Sequence, residues 1–139
     1  MTRVFLDSDV ILDLLLEREP FAGHGALIFA LAETSKVELC TSTVSFLNVY
    51  YVAGAQRDRK TADQLIRKLR TLLTLLPVTP RNIDEALSGK PRDVEDRVQY
   101  ACAVDNGMSF LVTRNLKHYP PKGISVMTPD LFLSTVPRE

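Results

Sequence analysis

Three polar stretches in this chain follow or open apolar segments in a way that suits phosphate chemistry. Asp7 closes the run Val4-Phe5-Leu6, Asp96 stands in the first turn of a helical segment beginning at Val94, and Thr113-Arg114-Asn115 follows Phe110-Leu111-Val112. Carboxylates gathered at one edge of a sheet would bind Mg²⁺ or Mn²⁺, hard cations that keep several waters and need only one or two carboxylates plus substrate phosphate oxygens. A phosphodiester is the natural substrate for such an ion, which activates water and stabilises charge on the phosphate oxygens. Arg114 and Lys117 lie beside Asn115 and are the cations best situated to hold a phosphate, whereas Arg57, Arg59 and Lys60, and Arg67, Lys68 and Arg70, read as solvated helix faces.

These residues need elements to position them, and the hydrophobic spacing supplies the elements. Val4 to Leu6 reads as a strand, and Val10, Ile11, Leu14 and Leu15 then recur at helical spacing up to Pro20. Ala26, Leu27, Ala30 and Leu31 mark a second helix, and Val37 to Cys40 a second strand. A third helix from Thr43 carries Phe46, Val49, Tyr50 and Ala53 and is broken by Gly54; a fourth runs from Ala62 through Leu73. Leu75 to Val78 gives a third strand, Pro80 opens a short helix closing near Gly89, and Val94 to Asn106 is a helix stopped by Gly107. Phe110 to Val112 and Ile124 to Met127 are the last strands, and Asp130 to Leu133 a short final helix. Alternating strands and helices imply an α/β fold of three layers, α/β/α, with a central mostly parallel sheet of about four to five strands. Ligands of open α/β sheets bind beyond the carboxyl ends of the strands, where Asp7 and Thr113 to Asn115 fall.

Composition sets the limits. The 139 residues are 45 % hydrophobic and 24 % charged, which suits one folded domain over 1–139 and excludes a disordered chain. Seventeen Lys and Arg balance seventeen Asp and Glu, so contact with a polyanion must be local rather than driven by net charge. Cys40 and Cys102 lack metal-ligand spacing and read as buried thiols of a reducing compartment. Neither a signal peptide nor a membrane span is expected, and the protein is expected to be cytoplasmic.

The segment Phe5-Leu6-Asp7-Ser8-Asp9-Val10-Ile11-Leu12 resembles the opening motif of the PIN domain family, in which a strand ends at a metal-binding aspartate followed by a small hydroxyl residue. Asp93-Val94-Glu95-Asp96-Arg97-Val98-Gln99-Tyr100-Ala101 resembles the family's third motif, with Asp96 at the aspartate position, and Leu111-Val112-Thr113-Arg114-Asn115 resembles its last strand and loop. The resemblance spans residues 4 to about 118. It implies an Mg²⁺- or Mn²⁺-dependent endoribonuclease of the VapC-type toxin kind, with an RNA substrate, an antitoxin protein as partner and a homodimer formed through the apolar Phe46 to Val52 segment. Asp7 and Asp96 would hold the metal, Asn48 and Asn115 would complete the polar shell, and Arg114 and Lys117 would bind substrate.

Two departures stand beside this. Asn48 occupies the place where the family usually carries a glutamate, and His118-Tyr119 stands where many relatives carry an aspartate before an aromatic residue. Asp9, Asp93 and Glu95 could compensate, although Asp9 and Asp93 also suit helix capping. The departures motivate an alternative, a catalytically degenerate PIN domain that binds RNA or protein. His24 and His118 have no metal partner at helical spacing and read as ordinary surface or packing histidines. A receiver-like phosphoacceptor domain fits less well, because Leu75-Leu76-Pro77-Val78-Thr79-Pro80 supplies no aspartate at the end of a middle strand.

Overall fold

The computed structural model describes residues 1–89, 92–119 and 123–136. Its strands are β1 (Thr2–Leu6), β2 (Val37–Ser42), β3 (Leu73–Leu76), β4 (Phe110–Val112) and β5 (Ser125–Met127). Its helices are α1 (Ser8–Leu15), α2 (Phe21–Glu33), α3 (Thr43–Gln56), α4 (Arg59–Arg70), α5 (Pro80–Leu87), α6 (Val94–Asp105) and α7 (Pro129–Thr135), with a 3₁₀ turn at Leu116–His118. The strands form one sheet in the order β3-β2-β1-β4-β5, and every pairing in it is parallel. The sheet is thus wholly rather than mostly parallel.

Side-chain alternation along the strands separates two apolar cores. Val4 and Leu6 of β1, Leu39 of β2, Leu73 of β3 and Val112 of β4 face a cluster that includes Val10, Ile11, Ile28, Phe29, Val49, Ile66 and Phe132, so α1 to α4 and α7 cover that face. Phe5, Cys40, Leu76 and Leu111, one position out of phase, face Cys102 and Ala103 of α6, against which α5 packs. Val4, Phe5 and Leu6 are fully buried; each such side chain contributes roughly 1.5–3 kcal/mol. Both cysteines are buried free thiols.

Several boundaries differ from the sequence reading, among them the end of β3 at Leu76 rather than Val78 and the start of α4 at Arg59 rather than Ala62, and two have a clear physical reason. α3 runs through Gly54 to Gln56, because an interior glycine costs only about 1 kcal/mol and the buried Val49 and Ala53 hold the helix down up to the glycine. Leu73 belongs to β3 rather than to α4: the apolar run from Leu72 to Leu76 is ambiguous between periods, and pairing of Leu73 with Leu39 decides it.

The chain order builds the sheet outward from β1 to β3, then crosses back through α5 and α6 to lay β4 on the other side of β1. The crossover direction reverses between β1 and β4. That switch point leaves a crevice at the carboxyl ends of β1 and β4, the place where open α/β sheets bind ligands.

Candidate active site at the sheet switch point

Asp7 is the residue immediately after β1, and its backbone N–H donates to the Val112 carbonyl of β4 at 3.0 Å. Its extended backbone makes it the N-cap of α1. Oδ1 accepts from the Ser8 N–H at 2.7 Å, while Oδ2 accepts from the Thr113 hydroxyl and the Tyr119 hydroxyl, each at 2.8 Å. The carboxyl is 5 % exposed. Burial raises its pKa above the usual carboxylate value, against the pull of the Thr113 and Tyr119 hydrogen bonds, and the Asp96 charge adds to the rise.

Asp96 sits in the first turn of α6 and is half-buried. The Tyr119 hydroxyl lies 3.3 Å from its Oδ1. One phenol oxygen therefore stands within hydrogen-bond reach of both aspartates, and the two carboxylates converge on it. Burial, and then the Asp7 and Asp96 charges, also raise the Tyr119 phenol. Glu95 completes the acidic group: partial desolvation, followed by the charges of Asp7 and Asp96, raises its carboxyl.

Asn48 lies on the exposed face of α3 and donates from Nδ2 to Oε1 of Glu95 at 3.3 Å. A carboxylate from α6 thus stands beside the amide that occupies the expected glutamate position on α3. The amide ties α3 to α6 through that carboxylate.

Asp9 does not cap α1. It faces the loop after β4, where its Oδ2 accepts from the Arg114 N–H at 3.0 Å and the Asn115 side-chain amide at 3.2 Å, and the Thr113 hydroxyl, whose one proton has its shorter contact with Asp7, lies 3.3 Å away. Its Oδ1 is buried with no partner among the described residues. Burial and the neighbouring Asp7 charge push this carboxyl up to about 7. Asp93 occupies the N-cap position of α6 in a left-handed conformation, φ 57°, and makes no side-chain capping bond.

Arg114 is placed differently from the phosphate-facing side chain expected of it. Its guanidinium is bidentate to Asp13 of α1, Nε to Oδ2 at 2.5 Å and Nη2 to Oδ1 at 3.0 Å, and stacks 4.2 Å from the centre of the Phe21 ring. Asp13 is 1 % exposed, and a carboxylate buried that far claims the nearest fork-shaped cation. Arg18 approaches the same carboxylate at 3.5 Å. Lys117 is exposed in the 3₁₀ turn. The side chain of His118 lies outside the described residues.

The N-termini of α1 and α3 meet the middle of α6 under the acidic group through a buried polar chain. Ser8 of α1 and Ser45 of α3 share a 2.7 Å hydrogen bond. The Ser45 N–H donates to the Ser42 hydroxyl at 2.9 Å, and that hydroxyl donates to Oε1 of Gln99 on α6 at 2.5 Å. Sequence reading singled out none of Asp13, Ser42, Ser45 and Gln99, and gave Tyr119 no role. For Asp13 a signal existed, an acid among the apolar Val10, Ile11, Leu14 and Leu15 of an amphipathic helix, which requires a buried partner.

The acidic group suits a small, hard cation. Asp7 is held by neutral donors in its hydrogen bonds, the Asp96 charge raises Asp7 and the charges of Asp7 and Asp96 raise Glu95, and a buried Asp9 oxygen lacks a donor among the described residues. Among the described residues no group of three or more His, Cys, Asp or Glu side chains is placed to hold a metal ion. Such a donor set fits Mg²⁺ or Mn²⁺, which keep much of their water, better than an ion bound wholly by protein.

A family model of the PIN domain matches residues 3–117, a span that includes Asp7, Asp96 and the loop after β4. This chain belongs to the PIN domain family. Ribonuclease VapC1 of Aquifex aeolicus (strain VF5) is 27 % identical over 135 residues, covering 94 % of this chain and 92 % of that protein. Among solved structures, the PIN fold here is similar to the DNA-bound VapBC of Salmonella typhimurium, with TM-score 0.67, 17 % identity, and 93 % of this chain and 99 % of that chain covered. It is also similar to Mycobacterium tuberculosis VapC20, a sarcin-ricin loop cleaving toxin, with TM-score 0.62, 14 % identity, and coverage of 78 % and 86 %. These likenesses establish the fold. No described helix of this PIN domain is long and apolar enough to cross a membrane.

Proposed function

We propose that residues 1–139 form one PIN unit acting as a metal-dependent endoribonuclease, the toxin of a toxin–antitoxin pair. The observation that carries this reading is the convergence of Asp7, from the end of β1, and Asp96, from the start of α6, on one point of the switch-point crevice. The ribonuclease name of the Aquifex relative and the toxin name of the similar Mycobacterium tuberculosis structure support the same direction.

In this reading Asp7 and Asp96 hold Mg²⁺ or Mn²⁺, with Glu95 adding charge. The bound ion supplies an activated water and stabilises negative charge on the scissile phosphate. The chain's own residues prepare that site. Thr113 and Ser8 orient the Asp7 carboxylate, and Asn48 fixes Glu95 across from α3. Asp9 anchors the loop after β4 through Arg114 N–H and Asn115, which keeps Thr113 pointed at Asp7. With Arg114 paired to Asp13, Lys117 is the cation among the described residues of this loop left to contact a phosphate, and Arg114 positions the loop. A groove of about 740 Å³ between α1, α2 and α4, lined by Leu14, Leu15, Phe29, Leu65, Leu69 and Leu72, offers an antitoxin an apolar surface.

The test is cleavage of a labelled structured RNA pool with Mn²⁺ by the wild type, Asp7→Asn and Asp96→Asn, after urea titrations show all three folded. Loss of at least about a hundredfold in each variant is expected, since both remove charge at the point where the ion binds. Wild-type silence with intact RNA or partner binding would instead establish the degenerate binding module.

A further inference from the structure

We propose that the Tyr119 hydroxyl competes with the divalent cation for Asp7 and Asp96, and is displaced when the ion binds, so that Tyr119 sets the metal affinity of the site. The proposal rests on the metal-dependent reading above. Oδ2 of Asp7 receives two hydroxyl donors, Thr113 and Tyr119, both at 2.8 Å, which is the full acceptor capacity of one carboxylate oxygen. An ion that takes this oxygen must release one of them. Thr113 is the fixed partner: its own hydroxyl also accepts from the Asn115 N–H at 3.0 Å, and its N–H is bound to Met127 of β5 at 2.9 Å. Tyr119 follows the 3₁₀ turn in the connection between β4 and β5 and is not itself part of the sheet.

The second contact gives the phenol its role. The same hydroxyl lies 3.3 Å from Oδ1 of Asp96, so it stands at the point on which the two carboxylates converge. Its single proton cannot be given to both aspartates at once. A divalent cation satisfies both, and the ring, packed 6.4 Å from Tyr100, keeps the displaced hydroxyl close by. The net affinity is therefore that of the carboxylate pair reduced by the hydrogen bond that must be broken.

Tyr119→Phe retains the ring and removes only the competing oxygen. The test titrates Mg²⁺ into the full chain by calorimetry and by tyrosine emission, which is readable because the chain has four tyrosines and no tryptophan. Tyr119→Phe should bind Mg²⁺ roughly ten- to a hundredfold more tightly than the wild type, the range that corresponds to losing one hydrogen bond to a charged group. Mg²⁺ should change the tyrosine emission of the wild type and of Tyr100→Phe, but not of Tyr119→Phe. Equal or weaker binding by Tyr119→Phe, or an emission change that survives in it, overturns the proposal while leaving the metal site standing. If none of the proteins binds Mg²⁺ or Mn²⁺, the metal-dependent reading itself fails and the proposal goes with it.

Discussion

Asp9 is the residue whose environment makes the most direct demand on folding. Its carboxyl is buried, with one oxygen unpartnered among the described residues, and stands beside Asp7, and burial and that charge together push it from 3.8 to about 7. A group with a raised folded-state pKa binds more protons in the folded than in the unfolded chain across the window between the two values. Stability from this group is therefore complete below about pH 4 and is lost as pH rises to about 7. In EDTA, urea unfolding of the wild type should show stability falling across this window, with Asp7 and Glu95 contributing in the same sense. Asp9→Asn should flatten the fall and be the more stable protein at pH 8; a pH profile unchanged by the substitution would show that Asp9 is not held in this state. Individual residues were unequally legible in the sequence. Asp7 and Asp96 announce themselves because each ends or opens an element with a clear hydrophobic period. Tyr119 does not, because its partners lie 112 and 23 residues away and no local pattern encodes a hydrogen bond of that reach. Arg114 shows the converse: its place in the chain gave the position of its backbone correctly, but the direction of its side chain is decided by a buried acid on another element.

That acid makes α1 and the loop after β4 a single mechanical unit. Asp13 faces inward on α1, Arg114 grips it with two nitrogens, and the same loop returns the Arg114 N–H and the Asn115 amide to Asp9 one turn earlier on α1. Arg114→Ala should cost about 3 kcal/mol in urea unfolding, the lower end of the range for stranding one member of a buried ion pair, because Arg18 still approaches Asp13. Arg114→Lys should recover little, since a point charge cannot make the two-nitrogen contact or stack on Phe21. A double-mutant cycle with Asp13→Ala separates this clamp from a phosphate-binding role. If Arg114 acts through Asp13, the two losses in stability will be strongly non-additive and RNA affinity will change little in the folded variants; additive losses with a large drop in RNA affinity would return Arg114 to the substrate. At this scale the order of strands and helices was readable from period and punctuation. The end of α4 was not, because an apolar run from Leu72 to Leu76 fits a helix or a strand until its partner strand is known.

At the scale of the whole molecule, α3 leaves a feature that the PIN core does not use. Val49 and Ala53 are buried and Phe46 is half-buried against the core, yet Val44, Leu47 and Tyr51 are 43 %, 56 % and 60 % exposed. Their spacing of three and four residues puts them on one stripe of the helix, turned away from the sheet. The apolar segment from Phe46 to Val52 that was expected to pair two copies thus divides into a buried half and an exposed half, and only the exposed stripe is available for pairing. A two-fold axis across it would set each stripe against its copy, so that one substitution acts twice in the interface. Asn48 lies next to Leu47 and is bonded to Glu95 of the acidic group, so pairing here would also hold the α3 to α6 contact at the edge of the proposed site. Sedimentation velocity should therefore give a dimer for the wild type at micromolar concentration and a monomer for Leu47→Glu, with unchanged urea stability at a concentration where the wild type is monomeric. The monomeric variant should retain measurable Mn²⁺-dependent cleavage, because Asp7, Asp96 and Tyr119 come from one chain. A Leu47→Glu protein that sediments like the wild type would remove this stripe as the pairing surface and leave it for a partner of another kind.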